Sequence, residues 1–210
     1  MLALDHITVA ALSVEEGVRH VEKALGVCVP PGGVHPLMGT RNHLMQLGPG
    51  LFLEVIAPDP ELVPQRPRWF GLDTEDVRNR LMKSPQLLTW VVRVSNLPAV
   101  LDAIDEQHAE SVVVTRGNLS WLISVPPDGA LPSSGAFPSF IQWPSGPHPA
   151  EKMADLGCQL SQLDVSHPDA NRISAALKTL HFEDKRVELS TGELALRATI
   201  STPRGVRTLS

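Results

Sequence analysis

The chain has 210 residues, 42% of them apolar and 20% charged, with a formal net charge of -5: it can build a core, and it holds no general attraction for phosphate backbones or anionic lipid. Its apolar stretches, such as 51–57 interrupted by Glu54, fall short of the ~20 residues of a membrane helix, and the opening MLALDHITVA lacks the basic start of a secretory signal. Two cysteines, Cys28 and Cys158, are too few for a disulfide framework, so the composition argues against nucleic acid or membrane as partners and predicts a cytoplasmic protein with reduced thiols.

In chain order, a strand over Leu4–Ala10 is followed by Ser13 with Glu16 three positions on, the pattern of a capping box. Val14, Val18, Val21 and Leu25 recur at helical spacing, and Gly26 stands where a left-handed helix end is favoured. A loop over Val29–Gly39, alternation around Asn42–Leu47, a Gly-Pro-Gly turn at 48–50 and the strand LFLEVIA complete a first unit. A proline-rich connector, PDPELVPQRPRW, leads to a helix over Thr74–Lys83 capped by Asp73. The strand-helix start then recurs: a strand over Leu88–Val94, Pro98 at a first helical turn, and Leu101 and Ile104 on one face. The strands SVVVTRG, LSWLISVP and FPSFIQWP follow. After the loop-rich joint PSGPHPAEKMADLG comes a third start, with a strand near Leu160–Val165, Pro168, and Ile173, Ala176, Leu177 and Leu180 on one helix face, then KRVELS, ELALRATIS and GVRTL. The predicted organisation is a first βαβββ module at 1–58, a connector with a short helix at 59–86, a second module at 87–145 and a degenerate third βαββ(β) module at 156–210.

Two ionisable residues stand in core-like strands: His6 in the first strand of the first unit, Glu54 in its last. A carboxylate in an apolar strand needs a cation, a metal or strong donors unless it faces water, and an imidazole on a neighbouring strand can supply a donor or a co-ligand. His35 lies in the glycine-rich GGVHP loop, where a side chain can reach over a cleft. Gly39-Thr40-Arg41-Asn42 offers a turn, a hydroxyl, a guanidinium and an amide, a set suited to a substrate carboxylate or carbonyl. Trp90, Trp121 and Trp143 alternate with aliphatic residues and could line a cleft, with core packing as the plainer role of each. Arg116, beside Gly117 at a strand end, reads as a solvated turn residue rather than an anion clamp, and His43 and His108 read as surface residues. Phosphate-loop, GxSxG and HExxH motifs are absent from the sequence.

The repeated strand-helix-strands unit, with a His in its first strand and a Glu in its last, resembles the vicinal oxygen chelate superfamily, which includes glyoxalase I, bleomycin resistance proteins and extradiol dioxygenases. GGVHPLMGTRNHLMQLGPGLFLEVIAPD at 32–59 and FPSFIQWPSGPHP at 137–149 are similar to the glyoxalase-like domain branch. The resemblance covers residues 2–150 well and the rest loosely. It implies α+β modules with curved mixed sheets forming a cleft, and a divalent metal (Zn, Ni, Mn or Fe) held by a His and a Glu from each module. By register, however, Trp90 replaces the second His and Gln142 the second Glu. Only His6 and Glu54 remain as metal ligands, with His35 and His148 as candidates for a third.

The reading is therefore a glyoxalase-like enzyme of lyase or isomerase type, acting on a small oxygenated metabolite, in which Glu54 is metal ligand or proton-transfer base; a dioxygenase activity belongs to the same resemblance. Substrate contacts are assigned to His35, Arg41, Asn42, Trp90, Gln142 and His148, in a cleft roofed by 30–41 and 126–138. The alternative is a metal-free small-molecule binding or resistance-type protein. Pairing with a second copy of the chain is left open.

Overall fold

The computed structural model describes residues 2–104 and 109–210; His108 lies outside them. The first set of elements is β1 (Ala3–Ala10), α1 (Val14–Leu25), β2 (Pro31–His35), β3 (Thr40–Gln46) and β4 (Phe52–Pro58), and α2 (Glu75–Lys83) follows in the connector. The second set is β5 (Gln86–Arg93), α3 (Leu97–Ala103), β6 (Glu110–Arg116), β7 (Leu119–Val125) and β8 (Ser139–Gln142). The third is β9 (Gln159–Ser166), α4 (Ala170–Thr179), β10 (Val187–Ser190), β11 (Ala195–Thr202) and β12 (Gly205–Leu209). The architecture is the expected α+β arrangement of repeated units with curved mixed sheets, and among the described residues no helix is long and apolar enough to cross a membrane.

Local chemistry accounts for most of these elements. Ser13 Oγ accepts the Glu16 N–H at 3.3 Å, and α1 ends at Gly26 with φ 72°. The connector helix starts one residue later than the sequence suggests, because Thr74 Oγ1 accepts the Val77 N–H while Asp73 is drawn off to Arg68. Residues 31–35, expected as loop, form a strand: Gly33 and Val34 pair with Asn42 and Arg41. Proline opens that strand, where its missing N–H costs nothing. His43 is half-buried rather than superficial, its Nδ1 lying 2.8 Å from the Val29 carbonyl.

The first two sets fuse into one eight-stranded sheet of order β2-β3-β4-β1-β5-β8-β7-β6, joined where β1 and β5 run antiparallel. The sheet curves until its two edge strands approach: the Arg116 side chain of β6 lies across Gly33 of β2, so close that a Cβ there would stand 2.8 Å from Arg116 Cδ. One face of the sheet buries Leu4, Ile7, Leu53, Val55, Trp90 and Phe140 together with α1, α3 and the third set of elements. The other face is concave and is closed by the connector, through Trp69, Phe70 and α2.

The third set departs from the other two in pairing. Its order is β10-β9-β11-β12, with β10 parallel to β9 and β11 antiparallel to it. In the first set, by contrast, the strand parallel to the opening strand is the last one, β4. The third sheet packs behind the large one rather than extending it, with Phe182 against Trp90 at a ring separation of 5.7 Å.

Candidate functional site

Strand alternation places His6 and Thr8 of β1, Phe52 and Glu54 of β4, and Asn42 of β3 on the concave face. One irregularity adds to this set. Leu4 pairs with Val92 and His6 with Val91, leaving Asp5 as the extra residue of a β-bulge. The bulge lets Asp5 and His6, neighbours in sequence, contact each other on one side of the strand.

Asp5 is fully buried and His6 and Glu54 are 4% and 6% exposed. His6 Nδ1 lies 2.7 Å from Asp5 Oδ1, and Asp5 Oδ2 accepts Trp143 Nε1–H and His148 Nε2–H at 2.9 Å each. Burial alone would raise the Asp5 pKa, but the hydrogen bonds from His148 and His6 override it and hold the carboxyl at about 2. An ionised Asp5 only accepts, so His6 carries its proton on Nδ1 and turns Nε2 toward Glu54 Oε2, 3.8 Å away.

Glu54 is held from two sides: Asn42 Nδ2 donates to Oε1 at 2.7 Å and Thr8 Oγ1 to Oε2 at 3.4 Å. The orientation of the Asn42 amide is settled by Gly33 N–H, a pure donor, which meets Oδ1 at 2.9 Å. Asn42 Nδ2 also faces His35 Nε2 at 3.5 Å, a long contact, and His35 Nδ1 meets Thr40 Oγ1 at 3.0 Å. Burial, and then the nearby Arg116 charge, push His35 down to about 3, so it stays neutral and steadies Asn42 rather than carrying protons.

These groups bound a chamber of about 30 Å³, room for one or two waters. Its apolar walls are Phe52, stacked on His6 at 4.4 Å, with Trp69, Phe70, Trp121, Ile141 and Trp143. Phe70 sits at φ 58°, a left-handed conformation that costs free energy for an aromatic residue, and this turn presses Trp69 and Phe70 onto the chamber. Through Leu44, Arg116, Pro149 and Met153 the chamber adjoins an outer recess of about 400 Å³ that also meets Lys152.

Of the residues singled out in the sequence, His6, His35, Asn42 and Glu54 come together here, and Trp121 and Trp143 line the chamber, although core packing is the plainer expectation for each. Four others do not. Trp90 is turned to the opposite face, its Nε1–H bonded to the Ala136 carbonyl at 3.0 Å. Gln142 also faces away, its Oε1 accepting the Leu97 N–H at 2.7 Å and so helping to start α3; its neighbour Ile141 holds the chamber position, because the register inferred between the modules is off by one and a one-residue slip exchanges faces. Arg41 points out of the concave face to Asp59 at 3.2 Å. His148 has both nitrogens committed, Nε2 to Asp5 and Nδ1 to the Ala150 N–H at 3.2 Å, and is no free ligand. The roof is formed by 69–70 and 143–153 rather than by 126–138, whose Phe137 belongs to the opposite core. Sequence reasoning missed Asp5, Thr8, Trp69 and Phe70, and it read Arg116 as a turn residue although it is half-buried against the chamber. The one available signal was the pair Asp5-His6 inside an apolar strand: alternation would bury one of the two without a partner, unless a bulge intervened.

The donors do not fit a four-ligand metal. His6 pairs across the sheet with Val91, Ile141 faces the chamber from β8, and among the described residues no group of three or more His, Cys, Asp or Glu side chains could hold an ion.

A family model for a glyoxalase-like domain matches residues 4–181. No curated protein matches the chain. Among solved structures, a hypothetical protein from Staphylococcus aureus superposes with a TM-score of 0.63 at 15% identity, covering 92% of this chain and 87% of that one, a likeness of fold alone. Methylmalonyl-CoA epimerase from Mycobacterium tuberculosis superposes at 0.42 with 20% identity, over 69% of this chain and 88% of that one. With the family model spanning both halves of the large sheet and reaching past α4, and with the repeated strand-helix-strands units closing around a chamber, the chain belongs to the glyoxalase-like domain family of the vicinal oxygen chelate superfamily.

Proposed function

We propose that the chamber is the active site of a glyoxalase-like enzyme of lyase or isomerase type, which moves a proton on a small oxygenated metabolite with Glu54 as the base. The observation that carries this reading is the pairing of Glu54 Oε2 with His6 Nε2 at 3.8 Å, inside apolar walls, with each group separately oriented: Glu54 by Asn42 and His6 by Asp5. A buried carboxylate beside an oriented imidazole can take a proton from a carbon next to a carbonyl. The C–H electron pair moves onto the carbonyl oxygen, and the proton returns to a neighbouring atom from Glu54 or by way of His6. Atoms and charge balance, and no oxidant is consumed. The side chains on hand support this chemistry better than a metal-centred one, since His6 and Glu54 lack partner ligands from the second module.

The test is exchange of carbon-bound hydrogen for deuterium in heavy water, followed by proton NMR on 2-oxoaldehydes and 2-oxo acids. Loss of a general base typically costs about 10²–10⁴-fold, so Glu54→Gln and His6→Asn should each reduce exchange by at least about 10²-fold. Equal exchange in wild type and both variants, or none in wild type, would overturn the assignment. Elemental mass spectrometry of untagged protein equilibrated with Zn, Ni, Mn or Fe belongs beside it: one equivalent in wild type and none in Glu54→Gln would instead support the metal-assisted reading. The aromatic walls favour a second reading, a metal-free binding protein. It expects saturable ligand uptake with neither exchange nor metal.

A further inference from the structure

Arg116 is a cation with no counter-ion among the described residues. It lines the chamber and the outer recess together, and among the described residues no carboxylate pairs with it; its one polar contact is a long one, Nη1 to Asn42 Oδ1 at 3.5 Å. Its stem is laid across the backbone of β2 at Gly33, where the absence of a Cβ makes room for it. A second, independent donor waits in the same walls. Trp69 is buried, and its indole N–H has no hydrogen-bond partner, a state that costs about 1–3 kcal/mol unless a ligand relieves it. Both residues adjoin His35, whose ring lies 4.9 Å from that of Trp69 and whose ionisation is depressed by burial and then by Arg116. With Asn42 turning its Oδ1 to Arg116 and its Nδ2 to Glu54, a single carboxamide separates the guanidinium from the proposed base.

We infer that the ligand of this chamber is a small organic carboxylate, its negative end held by Arg116 and the Trp69 N–H, with its carbon chain directed toward Glu54. The inference rests on the reading of the chamber as a substrate site and names the class of substrate. A planar two-oxygen anion matches the fork of a guanidinium. A phosphate dianion is the poorer match: Arg116 is the one arginine or lysine among the described residues lining the chamber, and the Glu54 carboxylate shares that lining. With the carboxylate at Arg116 and the chain directed toward Glu54, the fitting substrate is a short 2-oxo acid, whose removable hydrogen is on position 3, next to the carbonyl, and whose longer substituents extend past Pro149 and Met153 into the outer recess.

The test uses the full chain and the fluorescence of Trp69, Trp121 and Trp143, titrated with pyruvate, with its neutral methyl ester and with inorganic phosphate. Pyruvate should bind saturably, and the ester at least about 10-fold more weakly, the usual worth of a charged hydrogen bond. Arg116→Gln should weaken pyruvate by about 10-fold or more, and Trp69→Phe by about 3-fold or more. Gly33→Ala keeps the charge but displaces the arginine stem, and should also weaken pyruvate; it serves as the second variant should Arg116→Gln fold poorly. Ester binding equal to acid, pyruvate binding unchanged in Arg116→Gln and Gly33→Ala, no pyruvate binding at all, or tighter binding of phosphate would each overturn the inference. Exchange on a neutral 2-oxoaldehyde without carboxylate binding would sink this inference and leave the proposed function standing. Carboxylate binding without any exchange would do the reverse.

Discussion

Asp5 receives three donors on two oxygens, and each donor would be stranded without it. Its replacement by Asn would set an amide N–H against at least one of them, at a cost of about 1–3 kcal/mol for a buried donor left unsatisfied. His35 supplies a second, opposite case of buried ionisation. Its folded-state pKa of about 3 stands below the ordinary 6.5, so the stability tied to its neutrality is complete above pH 6.5 and is lost as pH falls toward 3, at up to about 1.4 kcal/mol per unit. The Asp5 carboxyl, at about 2 against an ordinary 3.8, contributes stability that is present above pH 3.8 and lost only as pH drops toward 2. Urea unfolding measured between pH 4 and 7 should therefore show stability falling with acid in wild type and a shallower fall in His35→Gln. Equal slopes would mean that His35 is not held neutral by the fold. The fourfold engagement of Asn42, with Gly33, Arg116, Glu54 and His35, makes it the residue through which the groups of the site are aligned.

At the scale of elements, helix α1 shows how packing can override propensity. Gly17 stands in its first half, where alanine would normally be favoured by about 1 kcal/mol. Yet an added Cβ would lie 2.6 Å from Val55 Cγ1 on β4 and 3.0 Å from Ala11 Cβ, both in buried surroundings that cannot yield freely. Gly17→Ala should lower stability by about 1–3 kcal/mol, the usual range for overpacking, with a matching fall in the urea midpoint; a gain would show that the helix can lift from the sheet at little cost. The bulge in β1 matters more for function. Removing the extra residue would restore plain alternation and take Asp5 out of the set that orients His6.

For the whole molecule, the large sheet separates two tasks. Its concave face holds the chamber, and the opposite face holds a core shared with α1, α3 and the third set of elements. Trp90 belongs to that shared core, where it touches Phe182 and bonds to Ala136. Trp90→Phe should cost about 1–3 kcal/mol through the unpaired carbonyl and lost packing, while leaving pyruvate titration at 25 °C unchanged. A loss of binding at a temperature where the variant is fully folded would show that the two faces are coupled.

The sequence by itself determined most of the strands and helices and the recurrence of one unit along the chain, and it singled out His6, Asn42 and Glu54, because helical and strand periods are local properties of adjacent residues. Tertiary structure alone decided which side chains surround them. Strand parity holds only within one strand: a bulge at Asp5 and a slip of one residue at Gln142 both exchange faces, and neither is encoded in hydrophobic pattern. The pairing of the third sheet, the strained turn that brings in Trp69 and Phe70, and the reach of Arg116 across Gly33 are contacts between segments far apart in the chain. Their free energy comes from burial and hydrogen bonds that exist only once the sheet has curved.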